Sequence, residues 1–407
     1  MKKILFSFLL TFLVYCSVNA QWFPSGYNET MGVQDLHFLN GKTGFAAGYH
    51  QVYKTIDAGD TWTEISDNLF INGPNCIWFF NETTGIIVGE SGGGEPQVGK
   101  TINGGLSWTV TTLPTGMGFN SPNQILFTDN NTGYIACRSG KIFKTVNQGS
   151  NWTELTTGTT DDITSIHFPS VTVGYATLSY SDKLLKTING GTSWSQINLD
   201  QLREVNHVYF TDISTGYLAC GNSTILKTSN GGNSWTSFSF GTNDMFYTIE
   251  FTSAQNGYAA GAGGTIAQTT NAGTTWTTVL SGLGTVNNLL YSIDFPNADT
   301  GYVATLFGGP GIILRTTNGG GIFSVSEIQN KSDFNLYPNP ASDVFSITAN
   351  NSLLGSTYYI IDQVGRIVLS DKLTNETTKV DISQLAAGVY LLQIGEHKKH
   401  SLKVIKN

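Results

Sequence analysis

Short apolar stretches alternate with turn residues along most of the chain, and one arrangement recurs seven times between residues 33 and 323. Each copy opens with an apolar stretch that carries an aromatic residue, at residues 36–40, 77–81, 125–129, 166–170, 208–212, 249–253 and 293–297. A turn and a Gly-led stretch follow, at residues 43–48, 84–89, 132–137, 173–178, 215–220, 256–261 and 300–305. Short apolar runs bounded by turn residues predict β-strands.

The third part of each copy is a turn of the form Thr-x-Asx-x-Gly-x-x-Trp, and the seventh copy ends in Phe323 instead of Trp. Successive aromatic residues of these turns are 46, 44, 42, 41, 41 and 47 residues apart. A repeat of about 40–45 residues is typical of a four-stranded propeller blade. The sequence therefore predicts an all-β fold, a seven-bladed β-propeller over residues 21–325.

The residue types of this turn suit a structural role. The Asx side chain can accept backbone N–H bonds, the Gly two positions later can adopt a positive φ, and the Trp is a large apolar anchor. The alternative is a set of scattered cation or sugar ligands. We predict the structural role for Asp57, Trp62, Asn103, Trp108, Asn147, Trp152, Asn189, Trp194, Asn230, Trp235, Asn271, Trp276 and Asn318.

Trp22, in the segment 21–26, precedes the first copy and leaves two arrangements open. In one, this N-terminal segment supplies a strand to the last blade, whose own turn ends weakly at Phe323. In the other, Trp22 only packs on the rim of the propeller.

The pattern changes after the last copy. Residues 326–332 are polar and lack the repeat, so we predict a linker there. Residues 333–407 again alternate apolar and polar positions, for example at Phe345 and Ile347 and at Tyr390 and Leu392. This alternation predicts a small Ig-like β-sandwich.

Residues 1–20 have the three parts of a secretory signal. Lys2 and Lys3 come first, an apolar run spans residues 4–14, and the small residues Val18 and Ala20 suit a cleavage site. The alternative, a lipidated Cys16, is disfavoured by the preceding Tyr15. We predict a secreted or cell-surface protein after signal-peptide cleavage, with no transmembrane anchor.

Charge and residue content limit the kinds of ligand and cofactor that we expect. The formal net charge is -8, and the chain has four arginines in 407 residues, so nucleic acid is not an expected partner. Cleavage of the signal would leave Cys76, Cys137 and Cys220, an odd number that we interpret as buried thiols. No spacing of residues suggests a metal or another cofactor, and His50, His167 and His207 are isolated in the sequence.

The repeat resembles those of Asp-box (BNR-like) propellers, and among them the repeats of photosystem II assembly and stability factors. The tail closely resembles the type A C-terminal sorting domain of the Bacteroidota type IX secretion system. Its matching motifs include Tyr337-Pro338-Asn339-Pro340, Gly365-Arg366, Gly388 with Tyr390, and the ending at residues 403–406. This resemblance implies the type IX machinery as a partner, passage through the outer membrane, and release or attachment at the cell surface. The alternative interpretation of residues 333–407 is a carbohydrate-binding sandwich that stays permanently attached.

Function is less legible than fold. A sialidase-like site needs three arginines, and the propeller has only three. One of them, Arg315, stands where other repeats have Lys and is explained by the repeat, so the sequence gives little support to a sialidase. A glycoside hydrolase with paired carboxylates stays an alternative, with the candidates Glu90, Glu95, Asp161, Asp162, Asp182 and Asp244. A further alternative is an assembly or stability factor for an envelope complex.

A non-catalytic module that binds an extracellular glycan or protein fits the sequence best. In a propeller, the loops between second and third strands and those between blades emerge on one face, and here they vary most. Ordinary loop variation is the competing interpretation. The candidate binding residues in these loops are Tyr49, His50, Glu90, Glu95, Phe119, Tyr180, Asp182 and Phe307.

Overall fold

The computed structural model describes residues 22–27, 32–48, 51–67, 73–91, 94–114, 120–242, 244–281, 283, 288–306, 311–320, 334–350, 353–362, 366–395 and 400–407. Contacts group these residues into two compact units. One covers Gln21–Gly320 and the other contains Gly321–Asn407. The boundaries predicted at residues 325 and 333 stay predictions.

The first unit consists of seven four-stranded antiparallel sheets in its described part. A short strand, β1 (Phe23–Pro24), precedes the first sheet. Blade one contains β2 (Val33–Phe38), β3 (Gly44–Gly48), β4 (Gln51–Thr55) and β5 (Thr63–Asp67); blade two β6 (Pro74–Phe79), β7 (Gly85–Glu90), β8 (Pro96–Thr101) and β9 (Thr109–Thr112); blade three β10 (Pro122–Phe127), β11 (Gly133–Cys137), β12 (Ile142–Thr145) and β13 (Thr153–Leu155).

Blade four contains β14 (Ile163–His167), β15 (Gly174–Leu178), β16 (Ser181–Thr187) and β17 (Ser195–Arg203); blade five β18 (Val205–Phe210), β19 (Gly216–Cys220), β20 (Thr224–Thr228) and β21 (Thr236–Ser239); blade six β22 (Phe246–Phe251), β23 (Gly257–Gly261), β24 (Thr265–Thr269) and β25 (Thr277–Leu280); blade seven β26 (Leu290–Asp294), β27 (Gly301–Thr305) and β28 (Ile313–Thr316). A 3₁₀ turn at Ala262–Gly264 precedes β24. The first strands of successive blades contact one another, and β26 contacts β2, so the ring is closed. The predicted all-β propeller is confirmed, and the seven sheets are compatible with the predicted seven blades.

The N-terminal strand completes blade seven. β1 pairs with β28, where Phe23 lies opposite Arg315. Trp22 packs edge-on against Phe295 with the ring centroids 5.8 Å apart, and the corresponding Trp235 packs edge-on against Phe210 at 6.2 Å. Trp22 therefore takes the place of a box Trp in blade seven, supplied from the other end of the repeat array. Phe323 lies outside the described residues.

Stacked aromatic rings join most neighbouring blades. The Phe that ends a first strand stacks on the aromatic residue of the preceding blade's second strand, as Phe210 does on Tyr175 at 3.8 Å. The same Phe explains the Gly that opens its own second strand. A Cβ on Gly216 would lie 2.4 Å from the Phe210 ring, so a larger residue would displace the ring.

A second connection between blades lies at the box turns. Lys186 Nζ and Tyr175 Oη of blade four both donate to the carbonyl of Gly231 in blade five, at 2.7 and 3.0 Å. Arg315 makes the equivalent bond from blade seven to the carbonyl of Ala58 in blade one, at 2.6 Å. The recurring Lys is therefore a structural connection between blades.

The C-terminal unit contains two antiparallel sheets around one core that includes Phe345, Ile360 and Leu392. The three-stranded sheet is formed by β29 (Phe334–Tyr337), β30 (Val344–Ala349) and β33 (Thr377–Asp381). The four-stranded sheet is formed by β31 (Thr357–Ile361), β32 (Ile367–Lys372), β34 (Gly388–Ile394) and β35 (His400–Lys406). Two sheets sharing a core form a sandwich.

Candidate functional site

The seven first strands surround a central channel that holds a cavity of about 410 Å³. We number the residues of each first strand from position 1 at its first residue. Every first strand then has a register shift relative to its second strand between positions 1 and 3. Such a β-bulge interrupts the alternation of side chains. All residues at positions 2 and 5, together with five each at positions 3 and 4, line one cavity.

At position 5, five of the seven side chains form a hydrogen bond with the backbone of the next blade's Phe. His37 Nε2 lies 2.9 Å from the carbonyl oxygen of Phe79, and Tyr209 Oη donates to the carbonyl of Phe251 at 3.0 Å. Glu250, Asp294 and His167 instead accept from the N–H of the next blade's Phe. The residues at this position are His37, Trp78, Leu126, His167, Tyr209, Glu250 and Asp294.

Three carboxyl groups lie in the channel on neighbouring strands. Glu250 Oε1 accepts from the Phe295 N–H at 3.4 Å, and Asp294 accepts a short bond from the Phe38 N–H. Asp35, at position 3, accepts from the Leu36 and Ile77 N–H groups at 3.0 and 2.9 Å and from Ser292 Oγ at 3.1 Å. We call Asp35, Glu250 and Asp294 the channel acids.

Burial disfavours charge on all three channel acids. It raises the pKa of Asp35 to about 7 against the lowering effect of its three hydrogen bonds. Burial also raises the pKa of Asp294, with a further contribution from the charge of Asp35. The pKa of Glu250 is raised well above its usual value by burial and then by Asp294. These raised pKa values disfavour full ionisation of the cluster at neutral pH.

The channel histidines are neutral. Burial lowers the pKa of His37 and of His207 to about 4. It lowers the pKa of His167 to about 3, with His207 contributing. These three side chains therefore provide no positive charge to balance the channel acids.

One end of the channel lies at the edge where the variable loops begin, and position 2 is closest to it. Asn75, Asn123 and Asn206 donate from their amide nitrogens to backbone carbonyls of the next blade, at 3.0, 2.7 and 2.9 Å. Tyr247 and Tyr291 complete this side with ring centroids 5.4 Å apart, and Tyr291 is 41% exposed. This end of the channel thus combines amides with accessible aromatic rings.

Tyr180 also belongs to this end, which we call the channel mouth. It is 72% exposed and lies in the turn between β15 and β16 with a φ of 50°. Burial raises the pKa of the Tyr247 hydroxyl, and Glu204 and Tyr180 raise it further. Leu178, at the end of β15, pairs with Ile163, at the start of β14, so the turn that carries Tyr180 lies at the edge where this first strand begins. Burial also raises the pKa of the Tyr291 hydroxyl, whereas the charge of Arg138 lowers it.

The other predicted binding residues are dispersed. Glu90 accepts a short bond from Ser121 Oγ, which ties the end of β7 to the segment before β10. Glu95 closes its own loop, where its carbonyl accepts from the Ser91 N–H at 2.8 Å. Asp182 is exposed in β16. Tyr49, His50, Phe119 and Phe307 lie outside the described residues.

The remaining carboxylate candidates lie in loops and form hydrogen bonds with residues of the same or a neighbouring loop. Asp162 accepts from the Ser139 N–H at 2.9 Å and lies 4.0 Å from Arg138, and Asp244 accepts from Thr242 Oγ1 at 3.0 Å. Asp161 lies in an exposed turn, where its N–H donates to Thr159 Oγ1 at 3.1 Å. These groups do not converge with Glu90 or Glu95 in any contact of the described residues.

The box residues make a repeated set of hydrogen bonds. In blade four, Asn189 Oδ1 accepts from Thr187 Oγ1 and from the Ser193 N–H, both at 2.9 Å. The Gly191 N–H donates to Thr187 Oγ1 at 2.9 Å, and Gly191 has a φ of 86°. The same pattern recurs at Asp57, Asn103, Asn147, Asn230 and Asn271, and in part at Asn318.

Two of the sorting motifs meet in the C-terminal unit. Asn339 accepts from the Ile405 N–H at 2.8 Å and donates to the carbonyl of Lys403 at 2.5 Å. Arg366 Nε lies 2.8 Å from Asp362 Oδ2, and Tyr390 Oη donates to the carbonyl of Ala386 at 2.8 Å. Tyr337 is 81% exposed beside Pro338, with Pro340 also exposed and Gly388 half-buried in β34. Gly365 lies outside the described residues.

Among the described residues, no three His, Cys, Asp or Glu side chains are arranged to hold a metal ion. The thiols of Cys76, Cys137 and Cys220 are buried. Within the same described set, no helix is long and apolar enough to span a bilayer.

Two family models match the chain. Residues 335–407 match the secretion system C-terminal sorting domain, and residues 233–338 match the photosynthesis system II assembly factor YCF48. Both predicted resemblances are thereby confirmed. The sorting domain marks the protein for type IX secretion to the cell surface or the extracellular space. No curated protein sequence matches the chain.

Solved structures show the same fold at low sequence identity. YCF48 bound to a D1 peptide is 21% identical with a TM-score of 0.61, covering 74% of this chain and 98% of its own. YCF48 from Cyanidioschyzon merolae is 18% identical with a TM-score of 0.57, covering 73% and 98%. The GH74 enzyme of Niastella koreensis is 16% identical with a TM-score of 0.59, covering 80% and 59%.

Sequence inspection did not find the channel acids. Asp35, Glu250 and Asp294 sit inside first strands, where a polar residue between apolar ones resembles an ordinary solvent-facing position. The available signal was their place in the repeat: all three fall at positions that face the centre of a propeller.

Proposed function

We propose that this secreted propeller is a non-catalytic binding module whose ligand occupies the channel mouth. The observation that carries the proposal is the group of accessible tyrosines, Tyr180, Tyr247 and Tyr291, beside a cavity lined by amides. Concave sites with aromatic walls and a few polar groups are typical of ligand binding. The variable loops begin at the same edge, which supports this location.

The geometry gives less support to a glycoside hydrolase on the variable face. Such an enzyme needs two carboxyl groups about 5–10 Å apart across a bound sugar. The carboxylates at Glu90, Asp162 and Asp244 instead bond to their own loops or to adjacent segments. An assembly factor for an envelope complex is a special case of protein binding, and the same test covers it.

The test uses the full chain without residues 1–20. It would be applied to a glycan array and used in pull-downs from medium and cell envelope, with polysaccharide hydrolysis measured in parallel. We expect a ligand whose binding is lost when Tyr247 and Tyr291 are both replaced by Ala.

The matched control is Leu106→Ala, which changes an 82% exposed side chain in a box turn at the opposite edge of the sheet. Binding that survives the double tyrosine substitution would contradict the proposed location. Hydrolysis that requires a loop carboxylate would contradict the non-catalytic role.

A further inference from the structure

We propose that the ligand presents a lysine side chain, which enters the channel from its mouth and forms ion pairs with the channel acids. This inference rests on the proposed binding function and specifies the chemistry of the ligand. It makes the ligand a protein or peptide, and the ammonium group the part that is recognised inside the propeller.

The first reason is an uncompensated acidic cluster. Asp35, Asp294 and Glu250 lie on β2, β26 and β22, three strands that follow one another around the ring. No Lys or Arg belongs to the described residues that line the cavity. Buried carboxyl groups are usually paired with a cation, because burial alone strongly disfavours their charge.

The second reason is an acceptor without a donor. Oε1 of Glu250 accepts the Phe295 N–H, whereas its Oε2 is buried and has no hydrogen-bond partner. Glu250 lines the cavity, so a donor that enters the channel reaches Oε2 once the Glu250 carboxyl group turns that oxygen toward the cavity. An ammonium group supplies three donors and one positive charge.

The chemistry of the cavity favours an organic cation over a metal ion. The described His, Cys, Asp and Glu residues form no cluster of three with metal-binding geometry. Trp78, Tyr209, Tyr247 and Tyr291 line the same cavity. Aromatic faces attract ammonium groups, and a cavity of about 410 Å³ is large enough for a side chain.

The depth of the site favours lysine over an amino sugar. Glu250 and Asp294 are at position 5, three residues below the position 2 layer at the mouth, which corresponds to roughly 10 Å along a strand. An amine attached directly to a sugar ring stays close to the bulk of its ligand. Lysine carries its charge on a flexible four-carbon stem, which suits a narrow, deep channel.

The proposal predicts the pH dependence of binding. A cation favours the ionised form of the channel acids, so binding lowers their pKa values and releases protons near pH 6.5. Affinity should increase from pH 5.5 to pH 8 by about tenfold for each acid whose pKa falls by one unit. The other titratable or charged groups at the site or its mouth are His37, His167, His207, Tyr209, Tyr247, Tyr291, Cys76, Arg138 and Glu204. The histidines are neutral over this range, as their lowered pKa values indicate.

The experiment measures calorimetric binding of pentalysine to the full chain without residues 1–20. The same peptide with all side-chain amines acetylated is the matched ligand, and oligomers of glucosamine are tested beside it. We expect pentalysine to bind and the acetylated peptide to lose binding by at least about tenfold. Titrations at pH 6.5 in two buffers with different ionisation enthalpies should show proton release.

Glu250→Gln is the informative variant, because it keeps an acceptor for the Phe295 N–H and removes the charge. It should weaken pentalysine binding by about tenfold and reduce proton release. Glu64→Gln, which removes an exposed charge on the outer strand β5, should change neither. Equal binding of the acetylated peptide would overturn the proposal, as would unchanged affinity in Glu250→Gln.

The failure of this inference can be separated from failure of the proposed function. If glucosamine oligomers or another ligand bind at Tyr247 and Tyr291 while pentalysine does not, the lysine proposal is wrong and the binding function stands. If the double tyrosine substitution changes the binding of no ligand, the channel mouth is not the site and both proposals fail.

Discussion

At the scale of single residues, one structural task is performed by different side chains in different blades. At position 5 of the first strands, His37 and Tyr209 bond to the carbonyl of the next blade's Phe, whereas Glu250 and Asp294 bond to the N–H of that Phe. Either bond satisfies a backbone group beside the channel. Side chains of different types can therefore serve at position 5 in these blades, while position 6 is Phe in every repeat.

The box turn offers a test at the same scale. Replacing Asn189 with Ala removes the acceptor for the Ser193 N–H and for Thr187 Oγ1, so we expect the free energy of unfolding to fall by about 1–2 kcal/mol. Asn189→Asp should cost much less, because Asp57 makes the equivalent bonds in blade one. Denaturant unfolding at pH 7 checks both variants. An Asn189→Ala protein as stable as the unsubstituted chain would contradict the structural role of the box.

At the scale of elements, the strands can be predicted from local sequence, whereas the strand pairing that closes the ring is not specified by it. The Phe and Gly of each repeat mark the first and second strands, since a side chain on Gly216 would clash with Phe210. The partner of β28 is β1, almost the whole propeller away in sequence, and no local pattern specifies that pairing. The bulge in each first strand could not be predicted, because a bulge here has no characteristic residue type.

The ring closure is tested by Trp22→Ala. Its ring fills the place of a box Trp against Phe295 and Gly320, so its removal should lower the stability of the propeller by about 3–5 kcal/mol. Trp235→Ala removes the same kind of contact inside one continuous blade and is the matched control. We expect similar losses in thermal or denaturant unfolding. A full loss for Trp235→Ala with none for Trp22→Ala would show that Trp22 does not close the ring.

At the scale of the whole molecule, sequence was most informative about architecture and destination, and least about the site. Repeat period and tail motifs predicted the propeller and the sorting domain, and family models match both. The candidate site could not be predicted in the same way, because it is assembled from residues far apart in the chain. Asp35 and Ser292 meet only when blade seven reaches blade one. Of the eight predicted binding residues, Tyr180 lies at the edge of the channel mouth, and a role of these residues in binding stays a prediction.

Export is the whole-molecule property that the tail should control. In a bacterium with a type IX system, the full chain should reach the surface or the medium, and a chain ending at residue 320 should stay inside the outer membrane. Asn339→Ala should reduce export without removing the tail, because Asn339 bonds to the backbone of β35 at Lys403 and Ile405 and so holds the first motif to the last. Asn335→Ala, an exposed change in β29, is the control. Fractionation and immunoblotting give the distribution. Full export of the truncated chain would show that the signal lies elsewhere, whereas equal export of the Asn339 and Asn335 variants would show that this connection between motifs is dispensable.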